Sequence, residues 1–76
     1  MKVIDWNRIP KGTKVQVSNS IVKEWKDRYF YKYNEENKDF PFEASQFIED
    51  DFYLNWRYCK IHPSIVILDE WYKYVE

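Results

Sequence analysis

The alternation of apolar and polar side chains along this chain predicts β-strands. Over residues 13–18, two valines alternate with polar side chains, which is the two-residue period of a half-buried strand. Residues 21–33 and 54–61 are rich in β-branched and aromatic side chains, so each predicts a further strand. The sequence Phe-Pro-Phe at residues 40–42 predicts an edge strand, because Pro41 has no N–H to donate to a neighbouring strand.

Turns and loops separate these predicted strands. Residues 8–12 and 18–20 contain the Pro, Gly, Asn and Ser residues that favour turns, and residues 34–39 form a polar loop. The last segment, residues 64–76, is ambiguous: its apolar positions fit helical spacing, whereas its apolar run at residues 65–68 fits a buried strand. We expect a strand that passes into a short helical turn.

Residues 25–33, with the sequence WKDRYFYKY, combine aromatic and basic side chains that the two faces of a strand would separate. One face carries Trp25, Asp27, Tyr29, Tyr31 and Tyr33, and the other carries Lys26, Arg28, Phe30 and Lys32. We expect the aromatic face to fill the core and the basic face to point outward. A platform for base stacking needs rings and cations on one exposed surface, which only a β-bulge would produce in this strand. Phenol rings lying in solvent beside the cations would instead favour base stacking.

Apolar side chains also occur on both faces of the predicted strands. Phe30 lies among basic residues in the second strand, and in the third Trp56 lies on one face while Cys59 and Ile61 share the other. A small barrel has one interior, so something must cover the second face. We expect residues 64–76 to cover it; a second copy of the chain or a partner protein is the alternative.

A chain of 76 residues forms one small domain with a thin margin of stability. One cysteine and one histidine allow neither an intramolecular disulfide nor a zinc site, so its 21% aromatic content must stabilise the fold. No apolar run approaches the ~20 residues that span a bilayer. Asp5 and Arg8 stand where a signal peptide would need apolar residues. We therefore expect no membrane association and a location in a reducing cytoplasm.

The net charge of −1 conceals a division along the chain. Residues 1–33 carry eight basic and three acidic side chains, a net of +5, whereas residues 34–76 carry four basic and ten acidic ones, a net of −6. A dedicated nucleic-acid-binding domain usually has a basic excess overall, which this chain lacks. We expect the two halves to attract each other in the folded protein.

Candidate chemistry is sparse in this sequence. The run Glu49, Asp50 and Asp51 lacks the alternating oxygens and central glycine of a calcium loop, so we expect no metal or other cofactor. Cys59 and His62 stand three residues apart without an evident orienting partner, and we expect no enzyme activity. The acidic run is instead suited to a basic groove on another protein.

Three motifs, DWNRIPKGTKVQVS, EWKDRYFYKY and WRYCKI, resemble sequences of small uncharacterised proteins from bacteriophages and prophages of Gram-positive bacteria. The matching positions are Trp6, Pro10, Lys11, Thr13, Val15, Val17, Trp25, Arg28, Tyr29, Phe30, Tyr33, Trp56, Tyr58 and Lys60. The resemblance implies an all-β fold, a small SH3-like barrel of about five strands over residues 1–63. Residues 64–76 would form a C-terminal extension, strand or short helix, packed on the barrel or at an interface.

Together these observations predict a phage-type protein-binding module in the cytoplasm of a bacterial host. It would inhibit a host protein, such as a defence nuclease in the manner of an anti-CRISPR protein, by surface occlusion. The expected contact residues are Lys26, Arg28, Phe30, Lys32, Glu49, Asp50 and Asp51. One alternative is a single-stranded nucleic-acid-binding protein that uses Trp25, Tyr29 and Tyr31 through a bulge. Another is a structural phage component, or a homodimer, that assembles through residues 64–76.

Overall fold

The computed structural model describes residues 1–20, 24–49 and 52–76 and shows an all-β protein. In these residues the strands are β1 (Lys2–Ile4), β2 (Lys14–Ser18), β3 (Lys26–Tyr33), β4 (Phe42–Ser45), β5 (Leu54–Trp56), β6 (Tyr58–Ile61) and β7 (Tyr72–Tyr74). Two 3-10 helices span Trp6–Arg8 and Asp69–Trp71. The first part of the predicted second strand, residues 21–23, lies outside the described residues.

Five strands form one antiparallel sheet in the order β5-β4-β3-β2-β6, and β1 pairs with β7 in a separate two-stranded ladder. Strands β2 to β5 follow one another as a meander, and β6 then lies at the opposite edge beside β2. Arg57 alone separates β5 from β6, and its backbone N–H donates to Asn19 Oδ1 at 2.9 Å. This hydrogen bond ties the crossing to the turn after β2. The strand pairs leave the sheet open rather than closed into a barrel.

The register of β2 against β3 determines which face of the sheet is the core. Val15 and Val17 are fully buried and lie opposite Arg28 and Lys26 of β3. Directly opposed residues of antiparallel strands share a face. Phe30, on this same face, is 3% exposed. The predicted orientation of β3 is therefore wrong, because its core face is the one that carries Phe30 and its outward face carries the first tyrosine.

The core combines aromatic residues from elements that are distant in sequence. Its buried apolar members are Ile9, Val15, Val17, Phe30, Ala44, Trp56 and Trp71. Burying one aromatic side chain removes about 150–250 Å² from water, which stabilises the fold by about 4–6 kcal/mol before entropy is counted. Phe30 also contacts Trp6, whose ring centroid lies 5.6 Å away. A few large rings thus stabilise a chain that has one cysteine and no disulfide.

A β-bulge at Tyr31 changes the pairing of β3 with β4. The register shifts between Phe30 and Lys32, so that Tyr33 lies opposite Phe42. The ring centroids of Tyr33 and Phe42 are 5.3 Å apart, and both side chains pack against the core. Of the aromatic residues predicted to face inward from residues 25–33, Tyr33 alone is confirmed, and it faces inward because of the bulge.

The C-terminal extension contributes to the β1–β7 ladder and to the core. The Asp5 N–H donates to the Trp71 carbonyl at 2.7 Å, next to the paired strands. Trp71 is buried, and Ile65 packs against the same core cluster. The predicted strand at residues 65–68 is wrong, because the extension runs from a 3-10 helix into a strand, in the reverse of the expected order. Pairing with β1, at the far end of the chain, selects β7 as the strand.

Two further sequence-based predictions, the edge strand at residues 40–42 and the single strand at residues 54–61, are wrong. Pro41 precedes β4, and β4 lies between β3 and β5, so the prediction of an edge strand is wrong. The Pro41 carbonyl accepts a hydrogen bond from the Asn34 N–H at 2.7 Å, which closes the β3–β4 connection. The single strand predicted over residues 54–61 is divided at Arg57 into β5 and β6. None of the helical segments in the described residues is long and apolar enough to cross a membrane.

Candidate functional site

The structure disperses the residues that the sequence predicts as a contact surface. Phe30 is buried, so the prediction that it contacts a partner is wrong. Lys26 is exposed and Arg28 is half-buried on the core side of the sheet. Lys32 follows the bulge and lies opposite Glu43, on the other side. The basic residues of β3 therefore do not form one continuous strip.

Arg28 lies at the edge of the core. Its guanidinium carbon is 5.9 Å from the centroid of the Trp56 ring. The same side chain lines a pocket of about 70 Å³ together with Gln46, Phe52 and Leu54. A long basic side chain can pack its methylene groups on apolar surface while its charge stays in water. Arg28 thus covers core surface and places a positive charge beside exposed apolar residues.

The connection between β4 and β5 exposes large apolar side chains. We call this set the apolar loop surface, and its members are Phe47 (63% exposed), Ile48 (57%), Phe52 (69%) and Leu54 (54%). Clustered exposed apolar residues usually mark an interaction site, because contact between water and this much carbon surface is unfavourable. Glu49 is exposed in the same loop, and Asp50 and Asp51 lie outside the described residues.

Gly12 positions the turn before β2 against this loop. Its φ of +93° is one that L side chains rarely adopt. Its N–H donates to the Phe30 carbonyl at 2.8 Å, which fixes the turn to β3. A Cβ atom at this position would lie 3.4 Å from Cγ1 of Ile48. The glycine therefore lets the turn approach Ile48 closely.

The face of the sheet that points away from the core brings aromatic rings and lysines together. We call this set the aromatic–lysine face, and its members are Lys11, Lys14, Trp25, Tyr29, Tyr31, Tyr53 and Lys60. Lys60 Nζ lies 4.5 Å from the centroid of the Trp25 ring. Lys11 Nζ lies 4.6 Å from the centroid of the Tyr31 ring. These distances are those of cation–π contacts.

Two further contacts complete this face. The rings of Tyr31 and Tyr53 stack, with centroids 4.5 Å apart and planes at 22°. Tyr29 lies directly opposite Lys14 in the β2–β3 pair. Trp25, Tyr29 and Tyr31 are half-buried, so the rings point outward beside the lysines without lying fully open to water. The expected separation of rings from cations is therefore wrong.

The lysines of this face come from outside β3. Lys14 begins β2, Lys60 lies in β6, and Lys11 precedes β2. The sequence of β3 alone does not reveal this face, because β3 supplies rings to it and other segments supply the lysines. Lys14 and Lys60 each adjoin a residue that points to the core, Val15 and Cys59 respectively, and this alternation is the signal that could have placed them outward.

Asp27 of β3 also lies on this side of the sheet, opposite Gln16, and is held by its neighbours. Gln16 Nε2 donates to Asp27 Oδ1 at 3.1 Å, and His62 Nε2 lies 3.6 Å from Asp27 Oδ2. The hydrogen bond from Gln16, followed by the charges of His62 and Lys14, lowers the pKa of Asp27 below its ordinary value. The carboxylate thus stays ionised at neutral pH and is engaged within the face.

Cys59 and His62 lie in different surroundings. Cys59 faces the core opposite Val17, and burial raises the pKa of its thiol. His62 Nδ1 lies 2.7 Å from Ser64 Oγ. Within residues 1–20, 24–49 and 52–76, no three His, Cys, Asp or Glu side chains are grouped so that they could hold a metal ion.

No protein-family model, curated protein or solved structure matches this chain. The geometry of the described residues offers two candidate sites, the apolar loop surface and the aromatic–lysine face. The apolar loop surface presents exposed apolar side chains. In the aromatic–lysine face, lysine ammonium groups lie over the Trp25 and Tyr31 rings.

Proposed function

We propose that this chain is a protein-binding module that acts by covering a surface of its partner. The observation that carries the proposal is the exposure of four large apolar side chains in the apolar loop surface. A few aromatic or apolar anchors at the centre of an interface usually supply most of its binding energy. Phe47, Ile48 and Phe52 are anchors of this kind, on a loop that joins two paired strands.

The partner we propose has an apolar pocket with a basic rim. Glu49 is exposed beside the apolar anchors, and the sequence adds Asp50 and Asp51 to the same connection. Complementary charges at the rim of an interface speed association and fix its orientation, whereas buried apolar anchors determine how long the complex lasts. Among the contact residues predicted from the sequence, the acidic run therefore keeps its proposed role, and Arg28 keeps it as a neighbour of the apolar pocket.

We also propose that the five-stranded sheet has the strand arrangement of an SH3-like fold, in an open form and with an added C-terminal extension. Three features support this: the meander of β2 to β5, the return of β6 beside β2, and the single residue that separates β5 from β6. In an SH3-like fold the connections between strands are free to carry binding residues, because paired strands hold their ends. A fold of this kind does not itself determine the partner.

The resemblance to proteins of bacteriophages and prophages supports a partner inside a bacterial host cell. We propose a host protein, such as a defence nuclease, or another phage protein, and an inhibitory effect through surface occlusion. The residues of this resemblance include Trp6, Phe30 and Trp56, which stabilise the core, so the shared motifs support a shared fold more than a shared interface.

The test is affinity capture from a lysate of a Gram-positive bacterium, followed by binding measurements with the purified partner. The wild-type chain is compared with the double variant Phe47→Ser and Phe52→Ser, which removes exposed anchors. A matched control, Val66→Ser with Tyr74→Ser, removes two side chains of the C-terminal extension that are more exposed than Phe47 and Phe52. We expect the wild type and the control to bind the same protein. We expect the loop variant to bind it at least about 30-fold more weakly.

Equal binding by the wild type and the loop variant would contradict the proposal, as would a partner lost only in the control. Circular dichroism of all three chains shows whether the sheet is intact. Because the substituted residues are exposed, their replacement is expected to change the free energy of unfolding by less than about 0.5 kcal/mol.

A second candidate function is self-assembly through the C-terminal extension. Val66, Leu68 and Tyr74 are exposed apolar residues in that segment. This candidate predicts a mass above that of one chain in light scattering, and a return to the mass of one chain in the Val66→Ser, Tyr74→Ser variant. A monomer at every concentration would exclude it.

A further inference from the structure

The aromatic–lysine face lies on the opposite side of the sheet from the core and has no role in the proposed protein-binding site. It gathers residues from β2, β3 and β6 and from the segments before β2, β3 and β5. Tyr53 shows how the two surfaces are separated. It stacks on Tyr31, whereas its neighbours Phe52 and Leu54 line the pocket beside Arg28. Side chains alternate along extended chain, so residues 52–54 contribute to both sides.

The arrangement of this face matches the needs of one class of ligand. Single strands of nucleic acid bind where aromatic rings offer stacking surfaces and cations follow the phosphate backbone. Here the ammonium groups lie over the ring faces, with Lys60 at Trp25 and Lys11 at Tyr31. A base that stacks on Trp25 would take the place of the Lys60 ammonium group, which would then lie within reach of the phosphate.

The electrostatics favour an anion at this face even though the whole chain carries a net charge of −1. Among the described residues of this face, Lys14 and Lys60 share the surface with Asp27, whose carboxylate already accepts a hydrogen bond from Gln16 and lies 3.6 Å from His62 Nε2. Glu43, in β4, is 5% exposed. Phosphate groups would therefore meet Lys14 and Lys60 with little opposition from these two acidic groups.

We propose that the aromatic–lysine face binds single-stranded nucleic acid with little sequence preference. Trp25 and the face of Tyr53 that points away from Tyr31 accept bases, and Lys11, Lys14 and Lys60 contact phosphates. A single strand is favoured over a duplex because ring stacking requires unpaired, unstacked bases. Weak sequence preference follows because every base has a face on which to stack.

The test is fluorescence anisotropy with labelled oligothymidine and oligouridine of about a dozen nucleotides. Three phosphate contacts on a single strand predict that log K falls with log salt with a slope of about −2. Binding should therefore weaken about 100-fold when the salt concentration rises about tenfold. Quenching of tryptophan fluorescence by the unlabelled oligonucleotide would report stacking on Trp25.

Two variants separate the contributions of charge and stacking. Replacing Lys14→Gln and Lys60→Gln removes two phosphate contacts, so the salt slope should fall in magnitude to about −0.7. Replacing Trp25→Leu and Tyr31→Leu should weaken binding about tenfold or more and leave the slope unchanged. The matched control, Lys73→Gln with Tyr74→Leu on β7, should bind as the wild type does.

Three outcomes would overturn this inference. The first is no anisotropy change at low salt with protein in large excess. The second is equal binding by the wild type and by the Trp25→Leu, Tyr31→Leu variant, which would mean attraction of any polyanion without stacking. The third is equal loss in the β7 control. The lysine variant keeps the test valid if the aromatic variant does not fold, since Lys14 and Lys60 point away from the core.

Discussion

The apolar loop surface and the aromatic–lysine face meet at residues 52–54, yet they differ in which groups are exposed to water. In the first, phenyl and aliphatic groups are more than half exposed. In the second, the rings of Trp25 and Tyr31 are half-buried, and lysine ammonium groups lie 4.5 and 4.6 Å from them. Contact with another protein would remove exposed apolar groups from water. Rings with adjacent cations instead suit a ligand that has flat rings and negative charge.

The difference shows how a chain of this size can carry aromatic residues beyond those in its core. The core needs Phe30, Trp56 and Trp71, and the two valines of β2 fill the space between them. Trp6, Tyr33 and Phe42 pack against this core, whereas other aromatic residues, such as Phe47, Phe52 and Tyr74, are exposed. Aromatic content alone therefore does not distinguish core from binding surface in a protein of this type.

The largest expected effect comes from comparing neighbours in β3 that point in opposite directions. Phe30→Ala removes a buried ring and should lower the free energy of unfolding by about 3–5 kcal/mol, enough to unfold much of a small domain. Tyr29→Ala removes a half-buried ring on the outward face and should cost about 1 kcal/mol. Urea denaturation measures both. Equal losses, or a larger loss for Tyr29→Ala, would contradict the assigned orientation of β3.

The orientation of β3 was the part of the fold that sequence could not give. Alternation divides residues 25–33 into two faces but does not say which face is buried. That choice depends on the pairing of Val15 with Arg28 and on the bulge at Tyr31. Both are features of how neighbouring strands pair. The strand at residues 13–18 was predictable because its apolar residues occupy one face only.

The candidate sites were predictable only in part, for similar reasons. The acidic run was visible in the sequence, but the exposure of Phe47 and Ile48 depends on how the sheet positions the loop between β4 and β5. The aromatic–lysine face was not predicted, because its lysines come from outside β3: Lys14 lies in the neighbouring strand β2, and Lys60 lies in β6, which pairs with β2. Residues that act together across strands cannot be paired from alternation in one strand.

A second test concerns the independence of the two surfaces. The loop variant Phe47→Ser with Phe52→Ser should lose about 2–4 kcal/mol of partner binding and retain nucleic-acid binding. The Lys14→Gln, Lys60→Gln variant should show the reverse pattern. Surfaces without shared residues are expected to give additive effects in the combined variant. A loss of both activities in either variant would mean that the two surfaces form one site.

A smaller effect is expected at Gly12, whose turn lies against Ile48 of the apolar loop surface. Gly12→Ala places a Cβ in a backbone conformation with φ +93° and 3.4 Å from Ile48. We expect the free energy of unfolding to fall by about 1–2 kcal/mol. Nucleic-acid binding should be retained at temperatures where the variant is folded. An unchanged midpoint in thermal denaturation would show that the turn does not hold the backbone in this conformation.

The smallest effect tests the opposite orientations of neighbours in β6. Lys60 points to the aromatic–lysine face, so Cys59 must point to the core, where burial raises the pKa of its thiol. The thiol should therefore stay protonated at about pH 8 and react with a maleimide at least about tenfold more slowly than in the unfolded chain. Equal rates with and without denaturant would place the thiol at the surface.

The most direct test of the orientation of β3 is a nuclear Overhauser spectrum of the wild-type chain. The account predicts cross-peaks between the rings of Phe30 and Trp6, whose centroids are 5.6 Å apart, and between the Lys60 side chain and the Trp25 indole. Cross-peaks from Phe30 to lysine side chains, with Tyr29 in contact with the valines of β2, would contradict it.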